Sequence, residues 1–194
     1  VVGSDLRAEA PILAHRLRKA SLKGAKVMFV DNAERDYLFD VEHYLTGDNF
    51  IAELAGVAKA AIDDLPNDLR DLLSDIQPND AQKQAADVLK NGEHSRVILG
   101  GIAIRHPDWS TIRHIAGALA VATGSTLGYV SEGSNSVGLH LAGVLPHRKA
   151  GAQPRDVDGG TTQQILSDKL DVLLIFGAEP GLDMPDVDAG NYDF

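Results

Sequence analysis

Along this chain short apolar runs alternate with longer amphipathic stretches, and the runs end in glycine-bearing or acidic turns. Val1-Val2 leads into Gly3-Ser4-Asp5, Val27-Met28-Phe29-Val30 into Asp31, and Arg96–Leu99 into Gly100-Gly101. Leu127–Val130 leads into Ser131-Glu132-Gly133-Ser134-Asn135-Ser136, and Val172–Phe176 into Gly177-Ala178-Glu179-Pro180-Gly181. The stretches between them have helical character. Pro11–Lys23 carries Pro in its first turn, basic residues in its second half and Gly24 beyond its end, which is the polarity that capping and the helix dipole favour. Asn49–Ile62, Asp80–Lys90, Asp108–Thr123, Ser136–Ala142 and Thr161–Ser167 read as further helices, with Asp108 as an N-cap and Asn91-Gly92 and Gly124 as stops. This order of elements predicts an α/β fold: a doubly wound, mostly parallel five-stranded sheet with helices on both faces. Residues 63–95 are more polar, are broken by Pro66 and Pro78, and read as a helical surface excursion. The start at Val1 reads as the end of a strand and the stop at Ala189–Phe194 as a loop. A single α/β domain over residues 1–194, cut from a longer chain, is therefore the expectation.

Composition removes several classes of function. Eighteen Lys and Arg against 28 Asp and Glu give a formal net charge of −10, so the concentrated basic surface that nucleic acid requires is not expected. There is no cysteine, which excludes disulfides, thiol catalysis and cysteine-ligated iron–sulfur or zinc centres in this segment. No apolar run approaches the roughly 20 residues of a membrane-spanning helix, so no direct membrane insertion is expected. The seven histidines form no H-E-x-x-H or similar zinc-ligand pair, and no metal site is expected.

The turns carry the chemistry. In a parallel sheet they line the carboxyl rim, where open α/β folds bind ligands. Glycine there lets a backbone approach a phosphate or a flat ring, and the following helix offers free N–H groups to an anion. The plainer alternative is that glycine simply makes tight turns; four such turns on one rim favour a nucleotide-like crevice. Named fingerprints fail. Gly3-Ser4-Asp5-Leu6-Arg7-Ala8 has one of the three glycines of G-x-G-x-x-G, and no G-x-x-x-x-G-K-[ST] or G-x-S-x-G occurs. Asp31 ends the second strand, where an acid can hold a ribose hydroxyl, but it lacks the glycines that usually accompany it.

Val2-Gly3-Ser4-Asp5-Leu6-Arg7-Ala8-Glu9-Ala10-Pro11, together with Ala14–Arg18, Lys26–Val30, Gly133–Gly138, Leu141–Gly143 and Phe176–Pro180, resembles the molybdopterin-oxidoreductase-like region of the large peripheral-arm subunit of bacterial NADH:quinone oxidoreductase, respiratory complex I. The resemblance covers most of the chain and is weakest over 63–95. It implies a fold like that of formate dehydrogenase and DMSO reductase, whose strand-end turns hold molybdopterin guanine dinucleotide. Carried over, Gly3, Ser4 and Asp5 would lie near phosphate, Asp31 near a ribose, and Gly47-Asp48 near guanine. Gly100, Gly133, Asn135, Gly177 and Glu179 would complete the rim.

Two departures stand out. Asp5 puts a carboxylate where the catalytic relatives have Asn, which costs phosphate binding. Asn32-Ala33 replaces their Pro-Arg pair after the second strand, with Arg35 the available substitute. The resemblance therefore implies a structural domain with a degenerate crevice, no catalytic residue and no cofactor of its own. Its parent chain would carry 4Fe-4S and 2Fe-2S clusters and pass electrons from NADH toward quinone. Its partners would be the other peripheral-arm subunits, at the cytoplasmic side of the inner membrane. Two alternatives remain: the cofactor domain of an active molybdopterin oxidoreductase, and a generic nucleotide-binding module.

Overall fold

A computed structural model describes residues 1–47, 49–131, 133–168, 170–179 and 181–183. The chain divides into two compact units, Val1–Glu132 and Gly133–Phe194, where a single domain was expected from the sequence.

In the first unit α1 (Leu6–Glu9) and α2 (Pro11–Ser21) lead to β1 (Met28–Asp31) and β2 (His43–Thr46). The helices α3 (Phe50–Ala61), α4 (Asn67–Leu73) and α5 (Asp80–Asn91) follow, then β3 (Arg96–Leu99), α6 (Gly101–Ile104), α7 (Trp109–Thr123) and β4 (Thr126–Tyr129). Both strand pairs are parallel, with Phe29 opposite Tyr44 and Val97 opposite Leu127. Val2 bridges the two pairs, lying parallel to Val30 on one side and Leu99 on the other. Its N–H donates to Ile98 O at 2.8 Å, and its own carbonyl accepts from Gly100 N–H at 2.9 Å. Gly3 N–H donates to Val30 O at 2.8 Å. The spatial order is thus β2, β1, Val2, β3, β4.

The expected five-stranded sheet is not what the described residues form. They form two two-stranded parallel pairs joined at Val2. Two differences from the sequence reading account for this. His43–Thr46 pairs as β2 although only Leu45 of its four residues is buried, so it carries little of the apolar signal that marks a strand. Val172–Phe176, expected as the fifth strand, pairs with nothing among the described residues, and Val172, Leu174 and Phe176 are 82%, 90% and 97% exposed. β-propensity describes a side chain's fit to a half-buried pleated surface and does not supply the neighbouring strand.

Alternation along the strands gives the first unit two apolar layers. Val2, Val30, Leu45, Val97 and Leu99 face α3, α5 and α7, where Leu54, Val57, Ala58, Ile112, Ile115 and Leu119 are buried against them. Phe29 and Val27 face the other way, toward Leu6, Leu13 and Leu17 of α1 and α2. There Phe29, Tyr37 and Phe39 stack in sequence, at centroid distances of 4.7 and 5.1 Å. Stretch 63–95 holds α4 and α5 and sends Leu69, Leu73, Ala85 and Ala86 into the first layer. Asn79 and Gln82 form a reciprocal capping box on α5. Gly124 ends α7 at φ +65°, a left-handed stop. Asp108 precedes α7, but its side chain makes no capping bond; its N–H donates instead to His106 Nδ1 at 3.0 Å.

The second unit holds α8 (Ser136–Leu141), a 3-10 turn at Ala150–Ala152 and α9 (Thr162–Ser167), which starts with a Thr161/Gln164 capping box. Arg148 makes antiparallel bridges to Leu145 and Pro154, and Arg155 Nε donates to its carbonyl at 2.9 Å. No described residue of this unit is buried.

Candidate functional site

The order β2, β1, Val2, β3, β4 reverses direction at Val2. The chain leaves Val2 toward β1 on one side, while β3 continues to β4 on the other. This is the topological switch point, where open α/β sheets place their ligands. The turns at its lips are Gly3-Ser4-Asp5 and Gly100-Gly101.

These turns touch. A Cβ on Gly100 would lie 2.0 Å from Ser4 Cβ and 2.6 Å from the Gly3 carbonyl. Gly3 has φ +57°, and a Cβ there would meet Ala103 N at 2.7 Å, so both the backbone conformation and the close approach require glycine. Ser4 is fully buried. Its N–H donates to Asp31 Oδ2 at 3.0 Å and its hydroxyl to Glu9 Oε2 at 2.8 Å.

Asp31 ends β1, is also fully buried, and accepts a second backbone bond from Asn32 N–H at 2.7 Å. Arg35 closes over it, with Nη1 2.8 Å from Asp31 Oδ2 and Nε 3.6 Å from Asp5 Oδ2. Burial opposes the charge on Arg35, but the bond to Asp31 and the fields of Asp31 and Asp5 outweigh it and hold its pKa above the ordinary value. Asp5 caps α1, its Oδ1 accepting from Arg7 and Ala8 N–H. Tyr37 Oη accepts from Leu6 N–H at 3.2 Å, and burial raises the tyrosine's pKa.

Five of the residues singled out from the sequence therefore come together: Gly3, Ser4, Asp5, Asp31 and Gly100. Asp48 lies outside the described residues. Gly133, Asn135, Gly177 and Glu179 belong to the second unit. There Asn135 precedes α8, Gly177 adopts φ +67°, and Glu179 N–H donates to Asp183 Oδ2 at 2.8 Å.

Glu9 was not foreseen. Its Oε2 accepts from Ser4 Oγ and Gly101 N–H, both at 2.8 Å, and its Oε1 accepts from Asp5 N–H at 3.1 Å. A capping box after Asp5 would place its acid at Ala8, and Glu9 stands one residue beyond that position. The spacing still carried a usable signal, an acid one turn after a serine–aspartate turn.

A diphosphate-bearing cofactor does not fit this arrangement. Among the described contacts Asp5, Glu9 and Asp31 set three carboxylates around the guanidinium of Arg35, and the N–H donors of both lips already have acceptors. No group of three or more His, Asp or Glu among the described residues could hold a metal ion. A cavity of about 740 Å³ in the first unit lies at the opposite, amino rim of the strands, lined by Lys26, Val27, Ser95 and Arg96. No helix among the described residues is long and apolar enough to cross a membrane.

Comparison with known proteins gives one positive result. No curated protein and no solved structure matches the chain. The family model of molybdopterin oxidoreductase matches residues 1–186, and the switch-point order and glycine-lipped turns are those of a dinucleotide-type sheet. The chain belongs to the molybdopterin oxidoreductase family.

Proposed function

We propose that this chain is a structural α/β domain of the large peripheral-arm subunit of an NADH:quinone oxidoreductase, and that its crevice is a degenerate form of the family's cofactor site. Family membership supports an oxidoreductase-type function for the whole protein. The finer reading rests on one observation: the switch-point turns are acidic, with Asp5, Glu9 and Asp31 gathered around Arg35 among the described residues. A diphosphate brought there would face a net negative lip at short range, where repulsion is least screened.

In this reading the domain carries no redox centre. Electrons pass from NADH through 4Fe-4S and 2Fe-2S clusters held elsewhere in the parent chain. The domain packs against other peripheral-arm subunits at the cytoplasmic face of the membrane.

The test is made on the parent assembly purified by its own activity. NADH-dependent quinone reduction, with no stoichiometric pterin–guanine dinucleotide released on denaturation and detected by mass spectrometry, is the expected result. A stoichiometric pterin, or a parent without NADH-dependent quinone reduction, overturns the reading.

A further inference from the structure

Doubly wound folds hold the lips of the switch point apart, so that a ligand's anionic group can meet the N–H donors there. In this chain the lips are held together, and the group that meets those donors is the chain's own. Glu9 projects from α1 and takes two donors from its own turn, Ser4 Oγ–H and Asp5 N–H. Its third donor, Gly101 N–H at 2.8 Å, comes from the far lip, 92 residues along the chain.

The far lip is shaped to receive it. A Cβ on Gly101 would lie 3.2 Å from Glu9 Cδ and 3.3 Å from its Oε1, tighter than ordinary packing. A side chain at 101 would push the carboxylate back from this seat. The Gly100 turn, meanwhile, leaves no room for any side chain against Ser4. Hydrogen bonds to a carboxylate are stronger than neutral ones, so three of them across two lips make a directional clamp.

We propose that Glu9 is an internal latch: its carboxylate clamps the Gly3–Asp5 turn to the Gly100–Gly101 turn and keeps the switch-point crevice shut. This rests on the reading of the crevice as a degenerate cofactor site and adds what closes it.

The test is residue-resolved amide hydrogen exchange on the 194-residue chain and on its Glu9→Ala and Glu9→Gln variants. In Glu9→Ala the amides of Asp5 and Gly101 should exchange at least about tenfold faster, while the Leu119 amide in α7 stays within about twofold of the unaltered chain. Glu9→Gln keeps the shape and loses the charge, and should speed the same two amides by about threefold. It decides the matter if Glu9→Ala does not fold. Unchanged exchange at Asp5 and Gly101 overturns the latch. So does a rise shared equally by Leu119, which would make Glu9 a support of the whole fold. A pterin found in the parent assembly would overturn the functional reading and leave this exchange pattern to stand or fall separately.

Discussion

From the irregular loop after β1, Arg35 reaches back four residues to set its Nη1 2.8 Å from Oδ2 of Asp31, a carboxylate with no exposed surface. Taking away one partner of a buried pair leaves an uncompensated charge, which costs far more than the pair itself is worth. Arg35→Ala should therefore destabilise the chain by about 3 kcal/mol. That is the lower end of the usual range, because Ser4 and Asn32 N–H still bond the carboxylate. Urea unfolding checks it: the midpoint should fall with the slope unchanged. A loss under about 0.5 kcal/mol would class the pair with screened surface pairs.

The contact between the two lips predicts a sharp contrast between two glycines. Gly100→Ala would drive a Cβ to within 2.0 Å of Ser4 Cβ and 2.6 Å of a backbone oxygen, and neither can move without parting Val2 from β3. A loss of about 3 kcal/mol or more is expected, at the upper end for overpacking. Gly124→Ala meets nothing within 4 Å and only strains a left-handed residue at φ +65°, which costs about 1–2 kcal/mol. Thermal melts of the two variants should rank Gly100→Ala clearly below Gly124→Ala. Equal losses would mean that the lips are not in contact.

What could be read in the sequence was set by how local the cause was. Helices α2, α5 and α7 announce themselves because Pro11, Asn91-Gly92 and Gly124 act within one turn of the ends they mark. The turns Gly3-Ser4-Asp5 and Gly100-Gly101 were legible as lips because glycine after an apolar run has a local meaning. Strand pairing is not local. His43–Thr46 became a strand because β1 lay beside it, although a β-forming run ending at Gly47 and followed by the cap Asn49 repeats the strand–turn–helix pattern of the other units. Val172–Phe176 has the stronger propensity and no partner among the described residues. Glu9 escaped for the same reason: its defining bond, to Gly101, joins residues 92 apart.

Tyr44 gives the fold a dependence on alkaline pH. Burial lifts its pKa from about 10 to about 12, and its hydroxyl donates to Arg35 O at 2.5 Å. A folded-state pKa above the unfolded value means stability that is complete below pH 10 and is lost as pH rises toward and through 12. The share of stability that Tyr44 contributes, measured by urea unfolding of the chain against Tyr44→Phe, should thus be constant up to about pH 10 and fall from there. Tyr44→Phe should flatten part of the alkaline loss, and in the folded chain the absorbance change of tyrosinate formation near pH 12 should shrink with it. An unaltered slope in Tyr44→Phe would show that other groups carry the alkaline loss.

Gly56 sits inside α3, where replacing glycine by alanine ordinarily gains about 1 kcal/mol. Here the sign should reverse. A Cβ on Gly56 would lie 2.2 Å from Gln82 Oε1 and 2.6 Å from Nε2. That side chain is buried and bonded through both amide atoms, with Oε1 accepting from Asn79 N–H at 2.9 Å and Nε2 donating to Glu53 Oε2 at 2.8 Å. Pushing it aside breaks one half of the capping box on α5 and the tie to α3, at about 1 kcal/mol for each bond. It also pries apart two helices packed along their lengths, an overpacking cost of about 1–3 kcal/mol. The net expectation for Gly56→Ala is a loss of about 2–4 kcal/mol. Coupling then separates the steric cause from a general weakening of α3. In the double variant Gly56→Ala/Gln82→Ala the obstacle is gone, so its loss should fall short of the sum of the two single losses by at least about 1 kcal/mol. Strict additivity would mean that the methyl group and the amide never met.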